Sequence, residues 1–189
     1  MNQVYFEKPG PGNTVKTLEL AGQRAKELGI RTIIVATTSG ATALEAARLL
    51  KDFNLVAVTH STGFSDKDVQ ELLPEHKSKL EKLGVKVLTC QHALGGVNRA
   101  VRFKLKTYQL DEIIAYTLRT MGQGFKVCLE IAMMAADAGL VSVREEAVCI
   151  GGTGSGADTA VALTPVNSQD FFDLKVHELI CKPRLSQQC

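Results

Sequence analysis

A chain of 189 residues with 45% hydrophobic and 22% charged side chains is long enough for one α/β core that buries roughly 70% of the unfolded surface, and disordered and fibrous classes are excluded. Lys and Arg number 22 against 20 Asp and Glu, a net charge of +2; the basic residues are scattered among acids, so nucleic acid and anionic membranes are not expected partners. The five cysteines, Cys90, Cys128, Cys149, Cys181 and Cys189, are odd in number and form no C-x-x-C pair, which speaks against a disulfide framework or a zinc site and for free thiols in a reducing, cytoplasmic compartment.

The amino terminus, Met1 to Glu7, carries an acid and lacks the apolar stretch of a leader, and no later run reaches the roughly 18 apolar residues of a membrane span. After the stiff Pro9-Gly10-Pro11-Gly12 turn, Asn13 or Thr14 can cap a helix with Val15, Leu18, Ala21, Ala25 and Leu28 at helical spacing, and Gly29 stops it. Thr32 to Ala36 is rich in β-branched residues and predicts a strand; a polar glycine turn and a helix over Ala41 to Leu50 follow. Leu55 to Thr59 predicts a second strand. It leads through a turn at Gly63 into a long polar helix, expected from about Asp66 to Leu83 and bent or broken near Pro74. Val85 to Thr89 repeats the strand.

Strands alternating with helices at this spacing predict right-handed crossovers and a mostly parallel sheet covered on both faces, an α/β fold. Residues 95 to 140 read as helices, most clearly Asp111 to Met121 and Lys126 to Ala138. Three strand-like runs follow at Ala147 to Ile150, Thr159 to Leu163 and Phe172 to Ile180, close enough to pair as antiparallel hairpins at one edge. No linker or repeat divides the chain, so one domain over residues 1–189 is expected.

In an open parallel sheet, ligands bind at the carboxyl ends of the strands. Thr37-Thr38-Ser39-Gly40-Ala41-Thr42 sets hydroxyls and a glycine directly before a helix start, where backbone N–H groups and the helix dipole can cradle a phosphate; an ordinary helix cap uses the same residue types. Thr59-His60-Ser61-Thr62-Gly63-Phe64 adds an imidazole, and if the first two strands are neighbours both turns open into one crevice. His60 can bind a ligand or move a proton, although no partner carboxylate is evident in the sequence. Gly151-Gly152-Thr153-Gly154-Ser155-Gly156-Ala157-Asp158 spends backbone entropy on glycines, which positive φ or close approach to a ligand would justify.

The register Gly152 to Ala157 formally fits a dinucleotide fingerprint, but a strand rather than a helix follows it, and no glycine run leads into the Lys-Ser or Lys-Thr of a Walker A loop. Gly122-Gln123-Gly124, before an apolar helix, can line the same site or simply separate two helices. Gly95 and Gly96, after Cys90-Gln91-His92, are weaker candidates. Lys126 and Glu130, four apart, read as an exposed ion pair, and Met133 and Met134 as core. No metal ligands and no catalytic residues are assigned.

The run Val35 to Ala43 resembles the strand and phosphate loop of the carboxy-terminal α/β domain of pyruvate kinase, and Gly154-Ser155-Gly156 resembles that domain's effector loop. Over nearly its full length the chain is similar to the small stand-alone proteins of that domain family, through Gly122 to Val127, Met134 to Leu140 and Gly151 to Ala160. The resemblance implies a three-layer α/β/α domain with flavin mononucleotide (FMN) as ligand, held at Ser39 to Thr42 and lined by the loops at His60 to Gly63, Gly122 to Gly124 and Gly151 to Asp158. It also implies association into a homo-oligomer, for which the apolar 125 to 140 helix is one candidate surface and the core another. A chain of this length has no room for the catalytic barrel of pyruvate kinase, so phosphoryl transfer is not expected. Ala41 stands where many effector loops carry a basic residue, which favours a mononucleotide over a sugar bisphosphate. The alternative function is a non-catalytic sensor of a phosphorylated metabolite acting through oligomer contacts. A hydrolase built on His60 is weaker still, for want of an assignable carboxylate.

Overall fold

Runs of β-branched residues and glycine stops divide the chain where the sequence pattern places them, and a computed structural model describes residues 3–185. Cys189, Met1 and Asn2 lie outside the described residues. Strands β1 (Val4–Phe6), β2 (Thr32–Ala36), β3 (Asn54–Thr59), β4 (Lys86–Thr89), β5 (Ala147–Gly151), β6 (Thr159–Thr164) and β7 (Lys175–Pro183) form one sheet in the order β1-β7-β6-β5-β2-β3-β4. All neighbouring pairs are parallel except β5 with β6 and β6 with β7. The expected antiparallel pairings are therefore present, but β1, which the sequence reading missed, takes the outermost position beside β7 and pairs with it in parallel. The third run begins at Lys175 rather than Phe172, because Ser168–Asp173 closes into 3-10 turns.

Alternation along the central strands supplies two apolar faces. Ile33, Val35, Leu55, Ala57, Val148 and Ile150 point to the side covered by helices α1 (Thr14–Leu28) and α2 (Ala41–Leu49). Ile34, Val56, Val58, Cys149 and Val161 point to the other, against Cys128, Leu129 and Ala132 of α6 (Gln123–Asp137). The architecture is thus a three-layer α/β/α sandwich. Helix α3 (Pro74–Lys82) completes the first layer, and α4 (Val97–Leu105) and α5 (Leu110–Arg119) pack outside α6.

The long helix expected from Asp66 is corrected to Pro74–Lys82. Proline disfavours helical backbone at the residue before it, and Leu73 is extended at φ −65°, ψ 132°. Residues 60–73 instead form a looped segment whose polar side chains bond to the end of β3. Gly29 closes α1 in the left-handed conformation, as its position predicts. The described cysteines are free, with Cys128, Cys149 and Cys181 buried. Among the described residues no helix is long and apolar enough to cross a membrane.

Candidate functional site

The strand order reverses between β2 and β5: the chain builds outward from β2 through β3 to β4, then returns to pair β5 on the other side of β2. A crevice opens at the carboxyl ends of strands at such a switch point. A cavity of about 790 Å³ occupies it, within the roughly 300–1,000 Å³ of small-molecule sites.

Because β2 and β3 are paired neighbours, the turns that follow them meet there. Thr37, Thr38, Ser39, Ala41 and Thr42 line one wall, at the start of α2. Gly40 does not line the cavity but shapes the turn. Its φ is +96°, and a Cβ there would lie 2.7 Å from His76 Cβ and 2.8 Å from Leu72 Cδ1. Thr37 Oγ1 accepts from the Gly40 N–H at 3.1 Å, while Ser39 O accepts from the Leu73 N–H at 3.2 Å and from the His76 ring at 2.8 Å. The turn is thereby fixed from both sides, and the first residues of α2, Ala41 and Thr42, lie in the cavity wall, where the first N–H groups of a helix have no intrahelical carbonyl partners; the Ala41 N–H lies 3.5 Å from Ser39 Oγ.

His60 reaches the cavity, whereas Ser61, Thr62 and Gly63 continue away from it. The sequence showed no carboxylate for this imidazole; the structure supplies Glu71, whose Oε2 lies 2.8 Å from His60 Nδ1. The His60 ring also packs on Phe64 at 4.1 Å, and Phe64 stacks on His92 at 4.8 Å. Arg99 of α4 lies over Phe64, 4.6 Å from its centre.

Of the third loop, Gly152, Gly154 and Gly156 line the cavity with Ser155, and Thr153 does not. Gly152 crosses so close to the Gly156 carbonyl that a Cβ would overlap it. Asp158 is fully buried behind the loop. Its Oδ2 accepts from the N–H groups of Gly10 at 3.0 Å and Thr153 at 3.1 Å, and its Oδ1 from Thr159 Oγ1 at 2.8 Å. Asp158 therefore braces the loop against the amino-terminal turn rather than facing a ligand. Gly122 and Gly124 are also outside the lining; Gly124 lets α6 approach Thr159, and Gln123 between them is in the wall.

The helices on the far side contribute what the sequence reading missed. Arg99, Arg119 and Lys126 enter the cavity from α4, α5 and α6. Lys126 and Glu130 are not an exposed pair: their side chains are only 7% and 4% exposed, in contact with each other inside the protein. Glu130 Oε1 also accepts from the Leu94 N–H at 3.1 Å, and its Oε2 lies 3.6 Å from His92 Nδ1. Burial alone would push the Glu130 carboxyl up, but the contact with His92 and the charge and hydrogen bond of Lys126 outweigh it and hold it down at about 2. Burial, aided by the charges of Arg119 and Arg99, pulls the Lys126 ammonium below the ordinary lysine value against the opposing pull of Glu130. A legible signal existed: α6 is apolar around its whole circumference, and a helix of that kind is buried with any charges it carries.

Glu130 is neutralised by Lys126, and Glu45, also in the wall, is paired with Arg48 at 2.6 Å. Among the described residues neither Arg99 nor Arg119 has a carboxylate within ion-pair distance; Arg119 Nε donates to Gln123 Oε1 at 2.7 Å. The cavity thus holds two guanidiniums without anionic partners, opposite a hydroxyl-rich helix start, and can accept an anion. No three His, Cys, Asp or Glu side chains gather as metal ligands among the described residues.

The family model described as pyruvate kinase, alpha/beta domain, matches residues 16–163. Among solved structures, a pyruvate kinase from Cryptosporidium parvum is similar at 15% identity with a TM-score of 0.41. That match covers 79% of this chain and 22% of the other, so this chain spans less than a quarter of that protein's length.

Proposed function

We propose, from the premise that this chain belongs to the pyruvate kinase alpha/beta domain family, that its cavity holds a small phosphorylated ligand and that this ligand is FMN. The observation that carries the reading is the pair of guanidiniums without an anionic partner among the described residues, Arg99 and Arg119, in the wall of the crevice that the start of α2 also lines. A phosphate dianion suits both walls, through helix N–H groups and hydroxyls on one side and charge on the other.

The lining fits FMN. Thr38, Ser39 and Thr42 would hold the phosphate, the glycine backbone at 152–156 would border the ribityl chain, and Val127, Ile131 and Met134 offer an apolar floor for the ring. When bound, the flavin supplies hydride and electron transfer, while the protein supplies orientation and electrostatics. Lys126 would place positive charge beside the ring, and the helices above it would exclude water.

Freshly purified protein is expected to show flavin absorbance, or to acquire it with added FMN, and the species released on heating is expected to have the mass of FMN. Arg99→Gln and Arg119→Gln are each expected to weaken FMN binding roughly ten- to a hundredfold, the loss of a charge-assisted hydrogen bond. A colourless protein that takes up no FMN would end this reading.

A second reading, a sensor working through subunit contacts, is favoured by one observation. Helices α4 and α5, which deliver Arg99 and Arg119, expose Val97 (73%), Phe103, Leu105 (66%), Leu110 (64%), Ile113 and Tyr116 to solvent. An apolar surface on that scale is characteristic of an interface with another protein, and a second copy would join ligand site to assembly. The 125–140 helix, by contrast, is almost wholly spent on the core. Light scattering is expected to give a mass above the monomer that phosphorylated sugars change, with Leu110→Glu/Ile113→Glu returning a monomer. A monomeric mass across the panel would rule the sensor out.

A further inference from the structure

The two imidazoles of the cavity wall share an arrangement that anion binding does not require. In each, Nδ1 faces a carboxylate: His60 toward Glu71 at 2.8 Å, His92 toward Glu130 at 3.6 Å. The two rings lie 5.4 Å apart. They differ in what is left over. His92 Nε2 is buried and has no hydrogen-bond partner, whereas His60 is about one third exposed and lines the cavity. Both rings line the cavity, but the His92 side chain is only 12% exposed against 32% for His60, so His60 is the more open of the two to a ligand.

We propose that His60 is the proton acceptor for a ligand bound in this cavity, with Glu71 as its positioning residue; the inference rests on the reading of the cavity as a ligand site. A carboxylate can only accept, so Nδ1 carries the hydrogen and Nε2 is left as the basic lone pair. The geometry around it is rigid. Gln70 Nε2 donates to the His60 carbonyl at 3.2 Å, and Phe64 supports one face of the ring. This use of Glu71 also explains why residues 66–73 do not join helix α3: a regular helix there would carry Glu71 and Gln70 away from the end of β3.

The substrate class that fits is a small phosphate monoester with a hydroxyl, or a C–H beside a carbonyl. Its O–H or C–H bond breaks, the proton passes to His60 Nε2, and the electron pair stays on the ligand as an alkoxide or enolate. Glu71 then faces the imidazolium, and Arg99, stacked over Phe64, is the cation available to the new anion. No oxidant or metal is needed for this step. For the enolate, protonation in reverse at a neighbouring atom would complete an isomerisation.

The test uses the whole protein with histidine ring nitrogen NMR, and diethyl pyrocarbonate as a probe of the Nε2 lone pair, read by mass spectrometry. The expected result is a His60 ring protonated on Nδ1 and carbethoxylated much faster than His92. Glu71→Ala is expected to mix the tautomers and slow His60 modification roughly tenfold, the scale on which such supporting carboxylates act, without moving His177, which lies by Thr164 outside the cavity lining. Saturating FMN is expected to protect His60. A His60 ring protonated on Nε2, a ring inert to the probe, or a Glu71→Ala variant reacting like the wild type would overturn the assignment. FMN that binds by fluorescence titration yet leaves His60 unprotected would overturn it while leaving the binding function intact. If FMN does not bind, the flavin reading fails, and the tautomer and the modification rates alone decide for or against His60.

Discussion

Glu130→Gln is expected to destabilise the protein by roughly 3–5 kcal/mol near neutral pH, the cost of leaving a buried charge without its counter-ion. The charge concerned is the Lys126 ammonium, which has Glu130 as its carboxylate partner in the core of the helical layer. Gln also strips charge from the acceptor of the Leu94 N–H. The pH dependence has a definite sign. Because the Glu130 carboxyl is held at about 2 against an ordinary 4.5, its contribution is fully present above the unfolded value and is lost as pH falls from there through the folded value. The gap between wild type and variant in urea titrations should therefore be wide at pH 7 and close as the pH falls from about 4.5 toward 2. Lys126→Met/Glu130→Leu should recover only part of the lost stability, since it removes the unpaired ammonium but leaves the buried Leu94 N–H without its acceptor, and ligand affinity should not return. A single variant as stable as the wild type would show that water reaches Lys126.

Asp158→Ala is expected to cost roughly 3–5 kcal/mol, since two backbone N–H groups and one hydroxyl lose a buried acceptor at once, each loss being worth about 1–3 kcal/mol. The consequence should be local as well as global. The Gly10 amide bonds to Asp158 from 148 residues away and the Thr153 amide from within the same loop, so their hydrogen exchange should accelerate far more than that of the β2 amides. FMN affinity should fall with it, since Gly152 to Gly156 lose the brace that shapes them. Unchanged protection at Gly10 and Thr153 would refute the bracing role.

Most of the sheet was legible because its signals are local. The β-branched runs at Thr32 to Ala36 and Ala147 to Ile150, the stop at Gly29 and the hydroxyl turn after β2 each follow from a few adjacent residues. The meeting of the first two turns followed from one topological condition, that β2 and β3 be neighbours. What escaped depends on distant partners. β1 is three residues long and is a strand only because β7 is there to pair with it. The segment before Pro74 has helical composition, yet Gln70 and Glu71 are committed to His60, and no pattern in the sequence announces a bond across such a loop. Arg99 and Arg119 sit on helices that look like ordinary amphipathic surface, and their place in the cavity depends on how α4 and α5 lie over α6. Lys126 and Glu130 could have been read correctly from the apolar character of α6 taken as a whole. Local spacing instead suggested a solvated pair.

The strand order also sets a sequence of assembly. β5 and β6 are joined by a short glycine loop and can pair early, as can β2 and β3 across a single helix. The β2–β5 seam joins segments far apart in the chain, and the entropy of closing so large a loop makes it a late event. The crevice straddles that seam, so the hydroxyl turn after β2 and the glycine loop meet only as folding finishes. A bound ligand would then bridge the last contacts to form, which are the first to open, and would act chiefly by slowing unfolding.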